Sequence, residues 1–452
     1  MSTIRIDGFS KSLRSQLLSK MSTAAAPAVS TGFTANQRRG FVAAWGGVAL
    51  DGVDSFIYAL VLVPALRALL PASGIEPTVG NLSFYGSLLF SVFLVGWGMA
   101  FLWGPLADRF GRVRVVMLAI LCYSVFTFLG AVAQTWWQLA IFRLLAGLGI
   151  GGEFVGAATF VVEELPDDRR ATGTGIMNSG YYVGVFVAAA LNYLVGAHYG
   201  WRAMFALGGL PALFVAYVRL YVHEPARWRN RIAETGGWRA RDSFFTLFAP
   251  EYRRRTLLNC VFLLISMIGL WAGSVYAPSA VTQVATRMHY GAADAARIAS
   301  RATMLLAIGT ILGCLLMPAL VRRFGHRGAL ACFYALTAVS IAISFGYAFY
   351  RPSGALLTFI SGLFFVGVGG ASFSVYWTWI SEQYHTECRG SALAFATSVG
   401  RFVAAGATFL VGIGIQRYGS IGLPVALTAI PFVLGLLLLP LAIETAGKPL
   451  PA

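Results

Sequence analysis

The sequence predicts an all-α membrane protein with twelve transmembrane helices in two pseudo-symmetric six-helix bundles. Three observations carry that expectation: apolar residues arrive in long blocks, basic residues crowd the gaps between blocks, and one set of motifs occurs twice. Of 452 residues, 58% are hydrophobic and 12% charged, the latter about half the charged share of a soluble domain. Stretches such as Leu82 to Trp103, Val115 to Ala133 and Leu423 to Ile443 are long enough to cross a hydrocarbon core about 30 Å thick. The solvent for most of this chain is therefore lipid.

The apolar runs, separated by Gly, Pro and charge, place spans beginning near 41, 82, 114, 137, 171, 202, 256, 303, 329, 354, 391 and 422. The longest polar interval, residues 223–255, follows six spans and precedes six more. The expected organisation is an N-terminal tail over 1–40, a bundle over 41–222, a linker over 223–255, a second bundle over 256–444 and a short tail over 445–452. The tail is rich in Ser, Ala and Thr and lacks the apolar core of a secretory signal. It is expected to be mobile and cytoplasmic, and the linker is expected to be cytoplasmic.

The second observation is charge: 34 Lys and Arg oppose 18 Asp and Glu, a net charge of +16. In a lipid-embedded chain such a surplus orients the spans instead of binding nucleic acid. Arg109, Arg112, Arg114, Arg169, Arg170, the run from Arg227 to Arg255, Arg322, Arg323, Arg327 and Arg389 fall on one side if both termini do. Arg287, Arg297 and Arg301 weaken the contrast without reversing it. The expectation is a multi-pass protein of the cell's inner membrane, both ends cytoplasmic, working as a monomer in the bilayer. Five cysteines, four of them inside apolar blocks, form no disulfide framework or metal-ligand spacing. The five histidines, His198, His223, His289, His326 and His385, are scattered near span ends. No cofactor, metal or enzymatic centre is expected.

The third observation is internal repetition. Gly104-Pro-Leu-Ala-Asp108-Arg109-Phe-Gly111-Arg112 recurs in degraded form as Pro318-Ala-Leu-Val-Arg322-Arg323-Phe-Gly325-His326. Gly152, with Glu164 twelve residues on and Arg170 beyond, recurs as Gly370 with Glu382 at the same interval and Arg389 beyond. Both sets lie where a short turn must reverse the chain at one membrane face. Glycine permits the close backbone approach, and the charges can pair with helix ends. Gly104, Asp108, Arg109, Gly111, Arg112, Glu164, Arg170, Arg322, Arg323, Glu382 and Arg389 are the expected gate residues.

The Gly104 to Arg112 pattern resembles the signature loop of the major facilitator superfamily, and the resemblance extends from about Phe41 to Glu444. Asp51-Gly-Val-Asp54 resembles the acidic motif of aromatic-acid and sialate:proton symporters. Gly149-Ile-Gly-Gly152-Glu153, Glu163-Glu164-Leu-Pro and Asn178-Ser-Gly180 look like the sialate and monocarboxylate branch. His223-Glu-Pro-Ala-Arg-Trp228 resembles the sixth-span exit of organic-solute symporters. Arg143 and Gly147 match the family's Arg-x-x-x-Gly motif, which the resemblance associates with proton coupling.

An ionisable residue inside an apolar block is expensive and survives facing a cavity or a partner. Asp51, Asp54, Arg143, Glu153 and Arg401 qualify. Asp51 and Asp54 are three apart and share a helix face, where mutual repulsion favours proton uptake; bracing a neighbouring helix is the alternative. Glu153 lies ten residues beyond Arg143, about 15 Å deeper at ~1.5 Å per residue. Arg401 has no carboxylate in its own span. It is the expected anion seat, the alternative being a bridge to Asp51, Asp54 or Glu153. Three acids against two arginines leave one negative charge, so one proton neutralises the set. Tyr58, Asn178, Tyr182, Tyr276, Tyr376 and Trp377 are expected to shape the pocket, with Tyr181, Trp271 and Trp379 nearby. The glycines from Gly147 to Gly152 suit close helix packing, since no strand precedes them to make a dinucleotide loop.

Together these features predict a proton-coupled symporter of a small organic anion, a monocarboxylate or sialic-acid-like acid, working by alternating access. An aromatic-acid:proton symporter is the alternative. A sugar transporter or a transporter-like nutrient sensor fits Arg401 and the short C-terminal tail less well.

Overall fold

The structure is a computed structural model that describes residues 34–224, 229, 244–352, 354–385, 388–448 and 450–451. The expected tail up to residue 33 and most of the expected linker lie outside the described residues. Helix α1 (Ala35–Leu69) starts at a capping box, in which Thr34 Oγ1 accepts the Gln37 N–H at 3.2 Å and Gln37 Oε1 accepts the Thr34 N–H at 3.0 Å. The cap, not the onset of hydropathy, sets this end, so α1 starts before position 41. Helix α2 (Val79–Gly98), capped by Thr78, tightens over Met99–Leu102 and resumes as Trp103–Phe110. Helices α3 (Arg112–Gly130), α4 (Trp136–Glu164) and α5 (Arg170–Leu191) follow. A kink at Gly200 within Ala197–Leu207 leads into α6, completed by Leu210–Leu213 and Phe214–Tyr221.

In the second half α7 is broken at Val275 and Tyr276 into Arg253–Ser274 and Ala277–Arg287. The run Ala292–Ile341 contains both α8 and α9, divided by Gly325 at φ 71°. Helix α10 (Ala355–Gly370 and Ser372–Ser381), α11 (Arg389–Tyr418) and α12 (Gly422–Ala426, then Ile430–Leu438) complete the chain.

Nine runs among the described residues are long and apolar enough to cross a membrane. One of them, Ala293–Tyr350, has 58 residues, about 87 Å at ~1.5 Å per residue. A core of about 30 Å cannot accommodate that as one crossing, and the break at Gly325 makes it two. With the interrupted helices α6 and α7 the crossings number twelve. The largest departure from the expected boundaries is α8, which begins at Ala292, not near 303. Its first turns are rich in Ala and carry the pair Asp294 and Arg297 at 3.6 Å, so they are helical without being apolar.

The glycine run of α4 does what its composition predicts. A Cβ at Gly147 would stand 2.3 Å from Phe93 O on α2, and one at Gly149 would stand 2.5 Å from Tyr123 N on α3. Backbone therefore lies against backbone on both sides of α4. Leu118, Val125, Leu315, Leu357, Leu410 and Leu437 stand exposed on the outside, as a lipid-facing surface requires.

Candidate functional site

Helices α1 and α4 run antiparallel, so the two acids of α1 meet two different residues of α4. Asp54 meets Arg143, with Oδ2 and Nη1 3.7 Å apart and both side chains fully buried. Arg143 Nη2 donates to Thr127 Oγ1 at 2.6 Å. The rings of Tyr58, Phe93 and Phe205 stand 5.2 to 5.7 Å from its guanidinium carbon. Asp51, one turn nearer the N-terminus, meets Glu153. The Glu153 carboxyl packs on Gly47, where a Cβ would stand 1.6 Å from Oε1. The Tyr123 hydroxyl is the donor beside Glu153, and no Lys, Arg or His among the described residues lies within 4.0 Å of either carboxyl. Two ionised carboxylates about 4 Å apart at an effective dielectric near 20 repel by about 4 kcal/mol. A proton shared between them converts that repulsion into a hydrogen bond.

Arg401, on α11, is buried with its guanidinium carbon 4.3 Å from the centroid of the Trp97 ring. No carboxylate among the described residues lies within 4.0 Å of it, and its Nε has no hydrogen-bond partner. Asp51 is the acid whose charge it feels across the gap. With Trp97, Phe154, Asn178, Tyr181, Tyr182, Trp271 and Trp377, Arg401 lines a cavity of about 30 Å³ between the halves. Asn178 crosses the interface: its Oδ1 accepts from Trp377 Nε1 at 2.9 Å and its Nδ2 donates to Cys314 Sγ at 3.4 Å. Thr174 and Thr378 meet beside it at 2.5 Å.

A second cavity, of about 270 Å³, lies toward the face opposite the two repeated turns and is lined by Tyr58, Arg67, Phe90, Tyr276 and Gln283 among others. Phe90 and Trp271, 5.9 Å apart, and then Trp271 and Trp97, 5.2 Å apart, form an aromatic partition between the cavities. Tyr58 and Tyr276 therefore line the larger cavity, not the one holding Arg401. Tyr376 lines neither cavity: its hydroxyl joins Tyr334 and Ser266 at 2.5 and 2.9 Å inside the second half. Trp379 stacks on His326 at the face of the repeated turns.

At that face both turns use one device. Gly111 at φ 109° lies under Glu224, whose carboxylate accepts the N–H groups of Arg112, Val113 and Arg114 at 2.8 to 3.3 Å. Gly325 lies likewise under Glu444, which accepts the His326 and Arg327 N–H groups at 3.0 Å. Each carboxylate sits at the positive end of a helix dipole. Burial raises the Glu224 carboxyl above its ordinary value and outweighs those three bonds. For Glu444 burial also pushes upward, but the His326 side chain and the backbone N–H groups of Arg327, Ala446 and His326 win, holding it at about 2.

Glu163 lies 3.6 Å from Arg112 and 3.9 Å from Arg389, the latter pair bridging the halves. Arg389 also donates to the carbonyls of Ser381 and Pro451. Glu382 is the mirror: it lies 3.7 Å from His326, accepts from Thr445 Oγ1 at 2.8 Å and interacts with Arg170 across the interface. Arg170 is also paired with Asp167. The partner of Glu382 in the repeat is thus Glu163, where the sequence spacing points to Glu164. The doublets Gly151-Gly152 and Glu163-Glu164 both satisfy a twelve-residue interval, and one residue turns the helix by about 100°. Glu164 offers its backbone carbonyl to Gln37 Nε2 at 2.8 Å. Gly104 lets α2 approach α11, a Cβ there standing 3.2 Å from Ala394 Cβ. Arg322 and Arg323 are exposed, apart from this network. The side chains of Asp108 and Arg109 lie outside the described residues. Sequence reasoning missed Trp97, Thr127, Glu224, His326 and Glu444; the repeat Gly111-Arg112 and Gly325-His326 carried the signal for His326 alone.

Residues 44–408 match the family model described as Major Facilitator Superfamily. A probable 4-methylmuconolactone transporter of Cupriavidus pinatubonensis is 31% identical over 91% of this chain and 93% of its own length. A cis,cis-muconate transport protein of Acinetobacter baylyi is 28% identical over 85% of this chain and 88% of its own. Among solved structures, the proton:xylose symporter XylE bound to 6-bromo-6-deoxy-D-glucose superposes with a TM-score of 0.74 at 19% identity, covering 92% of this chain and 98% of that one. The twelve crossings, the two matched turns and a family match spanning most of the helices agree, and this chain belongs to the major facilitator superfamily as a multi-pass membrane transporter of small organic solutes, not an enzyme.

Proposed function

We propose that this chain carries a flat unsaturated or aromatic carboxylate together with protons, by alternating access, with Arg401 as the anion seat. The observation that carries this reading is the position of Arg401: buried, stacked on Trp97, without a carboxylate in ion-pair reach, and facing an aromatic cavity. A guanidinium presents a planar fork to a carboxylate, and the surrounding rings suit a planar body. The two relatives named for 4-methylmuconolactone and cis,cis-muconate support an unsaturated acid. That favours the second of the two expected substrate classes over a sialic-acid-like acid, which would need more polar groups around its hydroxyls.

In this reading Asp51 and Glu153 share the coupling proton and Asp54 exchanges its pairing with Arg143 during the cycle. Glu163, Arg389, Glu382 and Arg170 act as the gate that holds the face of the repeated turns closed, the cytoplasmic face of an inner membrane. The test is uptake into proteoliposomes under an imposed pH gradient, over muconate, benzoate-type acids, lactate, pyruvate, sialic acid and sugars. The expected result is uphill uptake of one unsaturated or aromatic acid. Arg401→Gln is expected to reduce it by about a hundredfold or more, the loss of a charge-assisted bidentate pair. Uptake of sugars alone, or acid uptake unchanged by Arg401→Gln, would overturn the reading.

A further inference from the structure

A groove of about 600 Å³ lies at the face of the repeated turns, apart from both cavities described above. Helix α1 contributes Arg38, Phe41 and Val42 to its walls, the α4–α5 turn contributes Arg169, and α5 contributes Thr172 and Ile176. Gln37 fastens the two walls together, its Nε2 donating to Glu164 O at 2.8 Å. Among the described residues both charges that line the groove are positive, and every lining residue belongs to the first half.

Both walls grade from polar to apolar over one helical turn. Arg38 and Val42 are four apart on α1, and Thr172 and Ile176 are four apart on α5, so each pair shares a helix face with about 6 Å between its members along the axis. Both helices start at this face, which makes the polar member of each pair the outer one. Val42 is 52% exposed and Ile176 36%, as side chains that meet lipid are. Arg38 is exposed and lines the groove, whereas the neighbouring Arg39 lies 5.6 Å from the Tyr221 ring. Arg169 is 3.9 Å from Asp168 with both side chains exposed, and an ion pair in water is weak enough to exchange for another anion.

Two guanidiniums therefore stand above an apolar floor at the ends of membrane spans. A soluble anion would use the guanidiniums and ignore Phe41, Val42 and Ile176, and an uncharged lipid would do the reverse. An amphiphile with an anionic head uses both. We propose that this groove binds an anionic phospholipid, its phosphate held by Arg38 and Arg169 and an acyl chain lying along Phe41, Val42 and Ile176. A lipid seated there braces the start of α1 against the α4–α5 turn. The site shares no residue with the surroundings of Arg401 or with the intramembrane acids, so it stands whether or not the cargo is a carboxylate.

Native mass spectrometry of the full chain, exchanged from micelles holding equal amounts of phosphatidylglycerol and phosphatidylcholine, reads which lipid is retained. The natural chain is expected to prefer phosphatidylglycerol by about tenfold or more, as two arginines beside one phosphate imply. The double variant Arg38→Gln, Arg169→Gln should lose that preference. Arg38→Gln alone, at an exposed position, should weaken it and suffices if the double variant does not fold. Val42→Trp, which fills the apolar floor, should lower retention with both arginines in place. The pair Arg322→Gln, Arg323→Gln, exposed at the same face of the second half, should leave the preference unchanged, and excess inorganic phosphate should not displace the lipid. A natural chain without the preference, the result if a protein segment fills the groove instead, would overturn the inference. So would a preference lost equally through Arg322 and Arg323, retention unmoved by Val42→Trp, or a lipid displaced by inorganic phosphate.

Discussion

The two halves share their backbone devices and divide their charges. Each turns at a positive-φ glycine beneath a carboxylate that follows its sixth helix, Glu224 in one and Glu444 in the other. Each sends one glutamate toward an arginine of the opposite half. Yet the intramembrane acids Asp51, Asp54 and Glu153 all belong to the first half, and among the described residues the second contributes Arg401. Geometry is duplicated because each half closes its second-to-third turn with the same backbone device. Side-chain chemistry diverges because the two halves line the cavities between them jointly and each need not repeat what the other supplies.

The largest expected effect comes from breaking the charge division. Asp54→Asn should abolish uptake driven by a pH gradient while leaving exchange of labelled for unlabelled substrate, since Arg143 keeps its bond to Thr127. Proteoliposome uptake and counterflow measured side by side decide it, and persistent uphill uptake would make Asp54 a brace and not a proton site.

Next in size are substitutions that test the duplicated turns. A Cβ at Gly111 would stand 2.2 Å from Glu224 Oε1, and one at Gly325 would stand 2.5 Å from Glu444 Oε2. Each alanine should cost about 1 to 3 kcal/mol through its left-handed backbone, Gly111→Ala the more because φ 109° lies further from where side chains are tolerated. Thermal melting in detergent measures both. Two variants melting with the natural protein would show that the turns relax freely.

The smallest effect sharpens the difference between the two carboxylates. Glu444 is held at about 2 by bonds that outweigh burial. Its stabilising contribution is complete above the ordinary carboxylate value and is lost as pH falls toward 2. Glu444→Gln should therefore lower the melting temperature by a few degrees at neutral pH, with the gap narrowing in acid. For Glu224, burial raises the carboxyl, and the ionised form is the disfavoured one. Glu224→Gln should show a smaller gap at neutral pH that widens as pH falls and the buried carboxyl is protonated, so a gap that widens in acid for Glu444→Gln, or narrows for Glu224→Gln, contradicts the assignment.

Span number, the two-bundle fold and the five intramembrane charges were legible in the sequence because lipid imposes block lengths and penalises buried charge, and both leave marks on single residues. Partner choice was not. Whether Asp51 meets Arg143 or Glu153 depends on the antiparallel register of α1 and α4, and no composition encodes that register. The same holds for Tyr376: an aromatic hydroxyl in a span reads as pocket lining, yet the Tyr334 hydroxyl, 2.5 Å away, occupies it. Trp97 escaped notice because a tryptophan in an apolar block carries no mark until an arginine from another helix lies on it. The start of α8 was missed because hydropathy finds membrane, not helix.

The partition of Phe90, Trp271 and Trp97 leaves about 30 Å³ beside Arg401, room for about one water molecule. The six-membered ring with a carboxylate proposed above is several times larger, so in that reading the conformer that receives cargo has a wider space here, and Trp271 is the partition ring whose displacement would provide it. Measured affinity is then the intrinsic affinity scaled by the fraction of molecules with that ring aside. In the reading proposed above, selectivity resides partly in an equilibrium of the unloaded protein, and the Trp271 indole that lines the cavity tunes it alongside the Arg401 guanidinium.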